Sequence, residues 1–150
     1  MRSICFLLIA CGFVSAADSP FVGKWQIDES KSRPDPSGPG IMAHVVAYTF
    51  ENGVLIGSAS ASDGSARPNV VRYDGQERTP APSSANALGY TTYVSTANGA
   101  TLETLYKKDG KVVGSRRNSL SRDERTMTIE LSGTTVDGRT LHSTLVYHKE

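Results

Sequence analysis

Apolar and polar residues alternate along most of the chain, in short runs interrupted by turn signals. From Thr126 to Ser132 the alternation is complete, with Met127, Ile129 and Leu131 on one face. A period of two is typical of β-strands, and no stretch keeps the 3.6-residue apolar period of a helix. The pattern predicts nine strands, near residues 21–27, 41–51, 54–61, 69–74, 88–95, 100–107, 111–120, 126–132 and 140–148.

Asn-Gly or Asp-Gly pairs separate many of these runs. Such pairs favour the positive φ values of tight hairpin turns, so consecutive strands are expected to be antiparallel neighbours. Residues 28–40 and 76–86 are rich in Pro, Ser and charge and are predicted loops. We therefore expect an all-β fold, an antiparallel up-and-down meander that forms a barrel of 8–10 strands. The six pairs begin at Asn52, Asp63, Asp74, Asn98, Asp109 and Asp137.

Several predicted strand faces mix apolar residues with small or polar ones. If these faces point inward, the interior is lined but not filled, and the barrel encloses a cavity. The alternative is that Arg116 and its neighbours lie on an open, solvated face. The mixed faces are Met42, His44, Val46, Tyr48 and Phe50; Val54, Ile56, Ser58 and Ser60; Leu102, Thr104 and Tyr106; and Val112, Gly114, Arg116, Asn118 and Leu120.

The first sixteen residues have the features of a secretion signal. Arg2 supplies a positive charge, residues 4–14 form an apolar core too short to cross a bilayer as a helix, and Ala16 ends a small-residue cleavage site. We expect residues 1–16 to be a signal peptide and residues 17–150 a single exported domain, periplasmic or extracellular. Alternatively, residues 8–11 form a bacterial lipobox, which would lipidate Cys11 and anchor the protein to a membrane.

The composition excludes several kinds of function. Both cysteines, Cys5 and Cys11, lie within the predicted signal, so the mature chain has no disulfide, catalytic thiol or cysteine metal site. Removal of Arg2 lowers Lys+Arg from 16 to 15, equal to the 15 Asp+Glu, and the net charge is then zero. A neutral surface with both signs interspersed gives no reason to expect nucleic acid as a partner.

Sequence motifs for catalysis or metal binding are absent. HExxH, EF-hand, Gly-x-Ser-x-Gly and phosphate-binding glycine patterns do not occur, so we predict no catalytic residue, metal or cofactor, and no enzyme activity. Two side chains stay open to interpretation. His44 is either a core histidine or a ligand-binding one. Arg116, in phase with apolar residues, needs Glu103, the ring of Trp25 or an anionic ligand, because an unpaired buried guanidinium is costly.

The segment 21–27, with Gly23-Lys24-Trp25, resembles the start of the calycins, which include lipocalins and fatty-acid-binding proteins. Together with residues 28–39, 106–114 and 137–150, it looks like a family of exported bacterial lipocalin-like proteins whose biochemical function is unassigned. The resemblance implies that Gly23 and Trp25 are structural anchors, with the indole plugging one end of the barrel.

The chain departs from the calycin pattern in two places. The Pro-rich residues 28–40 cannot easily form the helical lid of fatty-acid-binding proteins. No motif selects the arginine that stacks on this Trp in lipocalins, for which Arg116, Arg117 and Arg139 are candidates.

These features predict a monomeric barrel that binds or carries a small hydrophobic or amphipathic molecule without catalysis. His44, Tyr48, Tyr106 and Arg116 would orient the ligand, with Arg116 holding an anionic head group. Counted from the Asp109-Gly110 turn, Tyr106 lies opposite Val113, so that Arg116 reaches it diagonally. The alternatives are a secreted interaction module or inhibitor that binds a protein through its loops, and a cofactor-free barrel enzyme.

Overall fold

The computed structural model describes residues 19–41, 43–67, 70–82 and 86–150. Within these ranges the chain forms ten strands and no helix, and therefore no helix able to span a bilayer. Residues 1–18, which carry the predicted signal peptide, cleavage site and lipobox, lie outside the described ranges. The strands are β1 Gly23–Ile27, β2 Val45–Glu51, β3 Val54–Ser60, β4 Val71–Arg72, β5 Asp74–Arg78, β6 Thr92–Asn98, β7 Thr101–Lys108, β8 Lys111–Leu120, β9 Thr126–Thr134 and β10 Thr140–Lys149.

All ten strands belong to one antiparallel sheet that curls into a nearly closed barrel. The order is β4-β3-β2-β1-β10-β9-β8-β7-β6-β5, so the pairing of β1 with β10 joins the two halves of the meander. The sheet ends at β4 and β5, on either side of Tyr73. The predicted all-β meander of 8–10 strands is confirmed.

The Asn-Gly and Asp-Gly pairs mark turns at five of the six sites. The exception is Asp74-Gly75, which lies inside β5, where the pairing with β6 shifts register between Asp74 and Glu77. Gly75 adopts a φ of 75° there, so its conformational freedom serves a bulge rather than a hairpin turn. The predicted strand 69–74 is accordingly split into β4 and β5, and residues 76–78, predicted to be loop, belong to β5.

Residues 28–40 form no helix, as their composition predicts. Instead this segment lies along β10, where Arg33 pairs with Thr144 and Asp35 accepts a hydrogen bond from the backbone of His142 at 2.9 Å. The hydroxyl of Ser32 likewise accepts from the backbone N–H of Val146 at 2.9 Å. The segment therefore extends the barrel wall beyond the end of β1.

The inward faces follow the predicted phase in most strands, with two corrections. In β3, Leu55, Gly57 and Ala59 share the face of the buried Tyr48, which is the partner of Gly57. The predicted face that starts at Val54 is the opposite one, on which only Ile56 is buried and Ser58 is exposed. In β8, Val112 is 56% exposed although it was predicted to share a face with Arg116. A register shift after Tyr106 pairs Lys107 with Val112 and leaves Val113 as an extra residue.

A packed apolar cluster fills one end of the barrel around Trp25, which is fully buried. Its indole Nε1 donates a hydrogen bond to the carbonyl of Phe21 at 2.8 Å. The ammonium of Lys149, and not an arginine, lies 5.2 Å from the centre of the indole. Gly23, at a φ of 125°, leaves room for the stem of that lysine. Trp25 thus lies inside this packed cluster, and the cation over its ring comes from the last strand.

A short loop, residues 86–91, packs over β8 and β9. Asn86 fixes this loop, since its amide donates to the carbonyl of Tyr90 at 2.7 Å and accepts from its N–H at 3.0 Å. The loop carries Leu88, which is buried against the facing glycines Gly114 and Gly133. Because residues 86–91 form this turn, β6 begins at Thr92 rather than at the predicted residue 88.

Candidate functional site

A cavity of about 280 Å³ occupies the barrel above the Trp25 cluster. Its wall is mainly apolar and aromatic, and it includes two arginines and no carboxylate among the described residues. The lining residues are Pro39, Gly40, Ala43, Val46, Tyr48, Gly57, Ser58, Ala59, Arg67, Val71, Tyr73, Asn86, Ala87, Leu88, Tyr90, Tyr93, Thr104, Tyr106, Arg116, Ile129, Leu131, Leu141, Ser143, Leu145 and Tyr147. The prediction of a lined but unfilled interior is confirmed.

All six tyrosines of the chain line this cavity. Tyr90 packs against Tyr106 with ring centres 4.6 Å apart, and it meets Tyr93 edge to face at 6.4 Å. Tyr48 and Tyr73 form a second pair, with ring centres 6.1 Å apart. The tyrosines therefore present both ring faces and hydroxyl groups to the interior.

Gly57 makes room for the second tyrosine pair. A Cβ on this residue would lie 2.9 Å from Cε1 of Tyr48 and 3.4 Å from Cε2 of Tyr73. Because Gly57 has no side chain, the rings of Tyr48 and Tyr73 can occupy that space.

Arg116 projects from β8 into the cavity. Its partner on β7 is Thr104, while Tyr106 is opposite Gly114, one residue away from the predicted Val113. Tyr106 therefore remains a diagonal neighbour of Arg116. Neither of the intramolecular partners considered from the sequence holds the guanidinium, because Glu103 is opposite Arg117 and Lys149 covers Trp25.

Arg116 is held by an amide rather than by a carboxylate. Its Nε donates a hydrogen bond to Oδ1 of Asn118 at 3.1 Å, and Nδ2 of Asn118 donates to the hydroxyl of Tyr48 at 2.7 Å. Asn118 itself is only 1% exposed. Within the described ranges no ion pair involves Arg116. The charge is fixed in place without being neutralised.

The pKa values of the cavity tyrosines are set by burial and by the guanidinium of Arg116. Burial raises the pKa of Tyr90 and of Tyr147 to about 12, although Arg116 acts in the opposite direction. Burial also raises the pKa of Tyr48 and of Tyr106. Arg116 loses hydration, but the tyrosine oxygens around it outweigh that loss and raise its pKa above the usual range. At neutral pH the cavity therefore holds neutral phenols and a permanent cation.

Three of the four predicted ligand-binding residues, Tyr48, Tyr106 and Arg116, meet on the cavity wall. His44 does not join them. It lies at a bend before β2, beside a shallow outer depression, with Nε2 3.4 Å from a carboxylate oxygen of Glu29. Its Nδ1 is buried without a hydrogen-bond partner. The alternation of residues in β2 does not predict the direction of the His44 side chain, because the regular strand begins one residue later, at Val45.

The structure adds cavity residues that were not among the predicted site residues. Asn118 is in phase with Arg116, so alternation placed it correctly without indicating a role. Tyr147 lies on the predicted last strand and lines the cavity from β10. The alternation of apolar and polar residues is irregular around Tyr73, and near Tyr90 and Tyr93 the strand begins later than predicted. Only the number of tyrosines and their apolar neighbours in the sequence could have drawn attention to these three.

No group of three or more His, Cys, Asp or Glu side chains in the described part of the chain could hold a metal ion.

One solved structure with a similar fold is the crystal structure of zebrafish ileal bile acid-binding protein complexed with cholic acid. The match has a TM-score of 0.58 at 12% identity and covers 88% of this chain and 100% of that chain. At this identity the likeness concerns the fold alone. No family model and no curated protein sequence matches the chain.

Proposed function

We propose that this protein is an exported, non-catalytic barrel that binds or carries a small amphipathic anion. The observation that carries the proposal is the guanidinium of Arg116, which faces a largely apolar cavity and has no carboxylate partner among the described residues. A charge removed from water is costly unless an opposite charge accompanies it. A bound anion would supply that charge.

The rest of the wall suits the apolar part of such a molecule. Each Å² of apolar surface removed from water contributes about 25 cal/mol, and a few polar groups then set the orientation of the ligand. Tyr48 and Tyr106 are the polar groups next to Arg116. The similar zebrafish barrel was crystallised with cholic acid, itself an amphipathic acid, which supports this ligand class.

The chemistry of the wall also favours binding over catalysis. General acid–base catalysis is most effective when a group titrates near the operating pH. The described wall contains no histidine or carboxylate, and the pKa values of Tyr90 and Tyr147 lie near 12. Export rests on the sequence of residues 1–16, and N-terminal sequencing of the exported protein should give Ala17 as the first residue.

The test compares a short-chain fluorescent carboxylic acid, small enough for the cavity, with its methyl ester in titrations of the wild type and Arg116→Gln. We expect the wild type to bind the acid at least tenfold more tightly than the ester, because charge-assisted hydrogen bonds to the guanidinium form only with the carboxylate. The variant should lose most of this preference.

Arg117→Gln is the matched control. It makes the same change at the next residue of β8, where the side chain is exposed and opposite Glu103. It should leave both affinities unchanged. If the acid binds no better than the ester, or if Arg116→Gln binds both as the wild type does, Arg116 has a structural role and the proposal is wrong.

A further inference from the structure

The cavity wall has two unlike halves. Aliphatic side chains come from β9 and β10, namely Ile129, Leu131, Leu141 and Leu145. These strands occupy the middle of the sheet order, so the closing barrel places its two ends across from them. Those ends carry three of the six tyrosines, with Tyr73 between β4 and β5, Tyr90 just before β6 and Tyr93 within it. Tyr147, on β10, is the one tyrosine on the same strands as the aliphatic side chains.

Arg116 lies between the aliphatic and the aromatic side chains, because its partner on β9 is Leu131 and its partner on β7 is Thr104. Its charge lowers the pKa of tyrosines in both ring clusters, Tyr48 with Tyr73 and Tyr90 with Tyr106, against the stronger effect of burial. The geometry agrees, since Asn118 links the guanidinium to Tyr48 and Tyr106 is the diagonal neighbour of Arg116 on β7. An anion bound to Arg116 therefore has tyrosine rings on one side and aliphatic side chains, beginning with Leu131, on the other.

The size of the cavity limits what that body can be. Ligand pockets commonly measure about 300–1,000 Å³, and this cavity, at about 280 Å³, is at the small end. A long flexible chain would have to fold back on itself and lose rotational freedom, which weakens binding. A short, rigid body avoids that cost.

We infer that the ligand is a compact anion with a planar aromatic ring system, bound with its charge on Arg116 and its rings against the tyrosines. The inference rests on the proposed function and narrows it to a ligand class. Tyrosine rings stack on, or meet edge to face, another aromatic ring, whereas the aliphatic half packs against the opposite face of a flat ligand. One aromatic contact of this kind changes affinity about two- to tenfold.

Three acids of equal size separate aromatic character from rigidity. 2-Naphthoate, decahydronaphthalene-2-carboxylate and undecanoate have the same number of carbon and oxygen atoms and the same charge. Their affinities would be measured by calorimetry, together with those of their methyl esters. We expect 2-naphthoate to bind at least fivefold more tightly than either saturated acid, since only it offers ring faces to the tyrosines.

Two substitutions at Tyr90 test whether the tyrosine rings cause this preference. Tyr90 contacts both Tyr93 and Tyr106 and is partly exposed, so its replacement disturbs the packed end of the barrel little. Tyr90→Leu removes the ring and should reduce the preference for 2-naphthoate over undecanoate by about two- to tenfold. Tyr90→Phe keeps the ring and should retain the preference.

The outcomes separate the inference from the proposed function. If undecanoate or the saturated bicyclic acid binds as tightly as 2-naphthoate, while all acids exceed their esters, the aromatic class is wrong and anion binding stands. An unchanged preference in folded Tyr90→Leu would also overturn the inference. If no acid exceeds its ester, the proposed function itself fails.

Discussion

Asn118 is the residue on which the geometry of the site depends most directly. Its Oδ1 accepts from Arg116 and its Nδ2 donates to Tyr48, so one buried amide sets the direction of the guanidinium and of a phenol on the far side of the barrel. Buried polar groups of this kind are costly when left unpaired. The side chain that holds the charge is thus as important to the site as the charge itself.

Trp25→Ala should lower the free energy of unfolding by about 3–5 kcal/mol, as large-to-small changes in packed cores do. The indole is fully buried, donates to Phe21 and lies beneath Lys149, so the variant loses packing, a hydrogen bond and a cation–π contact together. Denaturant melts measure the effect. Phe50→Ala is the control, because Phe50 is 37% exposed and its loss should cost less than about 1 kcal/mol. A similarly small loss for Trp25→Ala would contradict its role as the plug of the barrel.

At the scale of elements, the contact of β8 with β9 depends on missing side chains. Gly114 and Gly133 face each other, and a Cβ on Gly133 would lie 2.6 Å from the carbonyl oxygen of Val113 and 2.8 Å from Cδ2 of Leu88. Neither glycine needs a positive φ. Glycine is therefore required at these two positions because a Cβ would not fit, and not because of the backbone conformation. The room left by the missing side chains is occupied by Leu88.

Gly133→Ala should consequently destabilise the barrel by about 1–3 kcal/mol, the usual cost of overpacking. Part of that cost arises against Leu88, so the double variant with Leu88→Ala should lose less stability than the sum of the two single variants. Denaturant melts of the three variants give the coupling energy. Additive losses, or a neutral Gly133→Ala, would show that Leu88 does not occupy the space over the glycines.

The bounds of a strand could be predicted from the sequence where Asn-Gly or Asp-Gly turns delimit it. The face that points inward was predicted less well, because it depends on contacts with residues of neighbouring strands. β8 was predicted with its exact bounds, Lys111–Leu120, whereas the inward face of β3 was assigned wrongly. Val54, Leu55 and Ile56 are all apolar, so alternation does not select a face; the packing of Tyr48 over Gly57 does. The bulge that exposes Val112 likewise depends on the pairing of β7 with β8, which a single strand does not encode.

The candidate site was predictable to a similar extent. Tyr48, Tyr106 and Arg116 were found because each lies within a regular strand, where the period of two fixes the side-chain direction. His44 and the tyrosines at positions 73 and 90 lie at strand ends or in turns. Their placement depends on contacts such as the bonds of Asn86 to the backbone of Tyr90.

At the scale of the whole molecule, the tyrosines should make the folded barrel sensitive to alkali. The pKa of Tyr90 and of Tyr147 is about 12 in the fold, against an ordinary value near 10 in the unfolded chain. The fold therefore favours the neutral phenols. Their contribution to stability is complete below about pH 10 and is lost as the pH rises towards about 12.

The ultraviolet absorbance of tyrosinate measures this directly. At pH 10 to 11 the folded protein should form less tyrosinate than protein unfolded in urea, because Tyr90 and Tyr147 ionise only as the pH approaches 12. Arg116→Gln should delay ionisation further, since the guanidinium lowers the pKa of Tyr90 and of Tyr147. Titration of most of the six tyrosines near pH 10 in the folded state would contradict the buried cavity wall.

The gap between β4 and β5 affects the tendency of the protein to aggregate. Unpaired edge strands can recruit a strand from another chain and start aggregation. Here one edge is only two residues long, and the other is bulged and carries the charges of Asp74 and Arg78, paired at 2.6 Å. Both features are ways in which proteins protect exposed edges. Although the sheet is open between β4 and β5, its edges are therefore poorly suited to pair with a strand of another molecule and start aggregation.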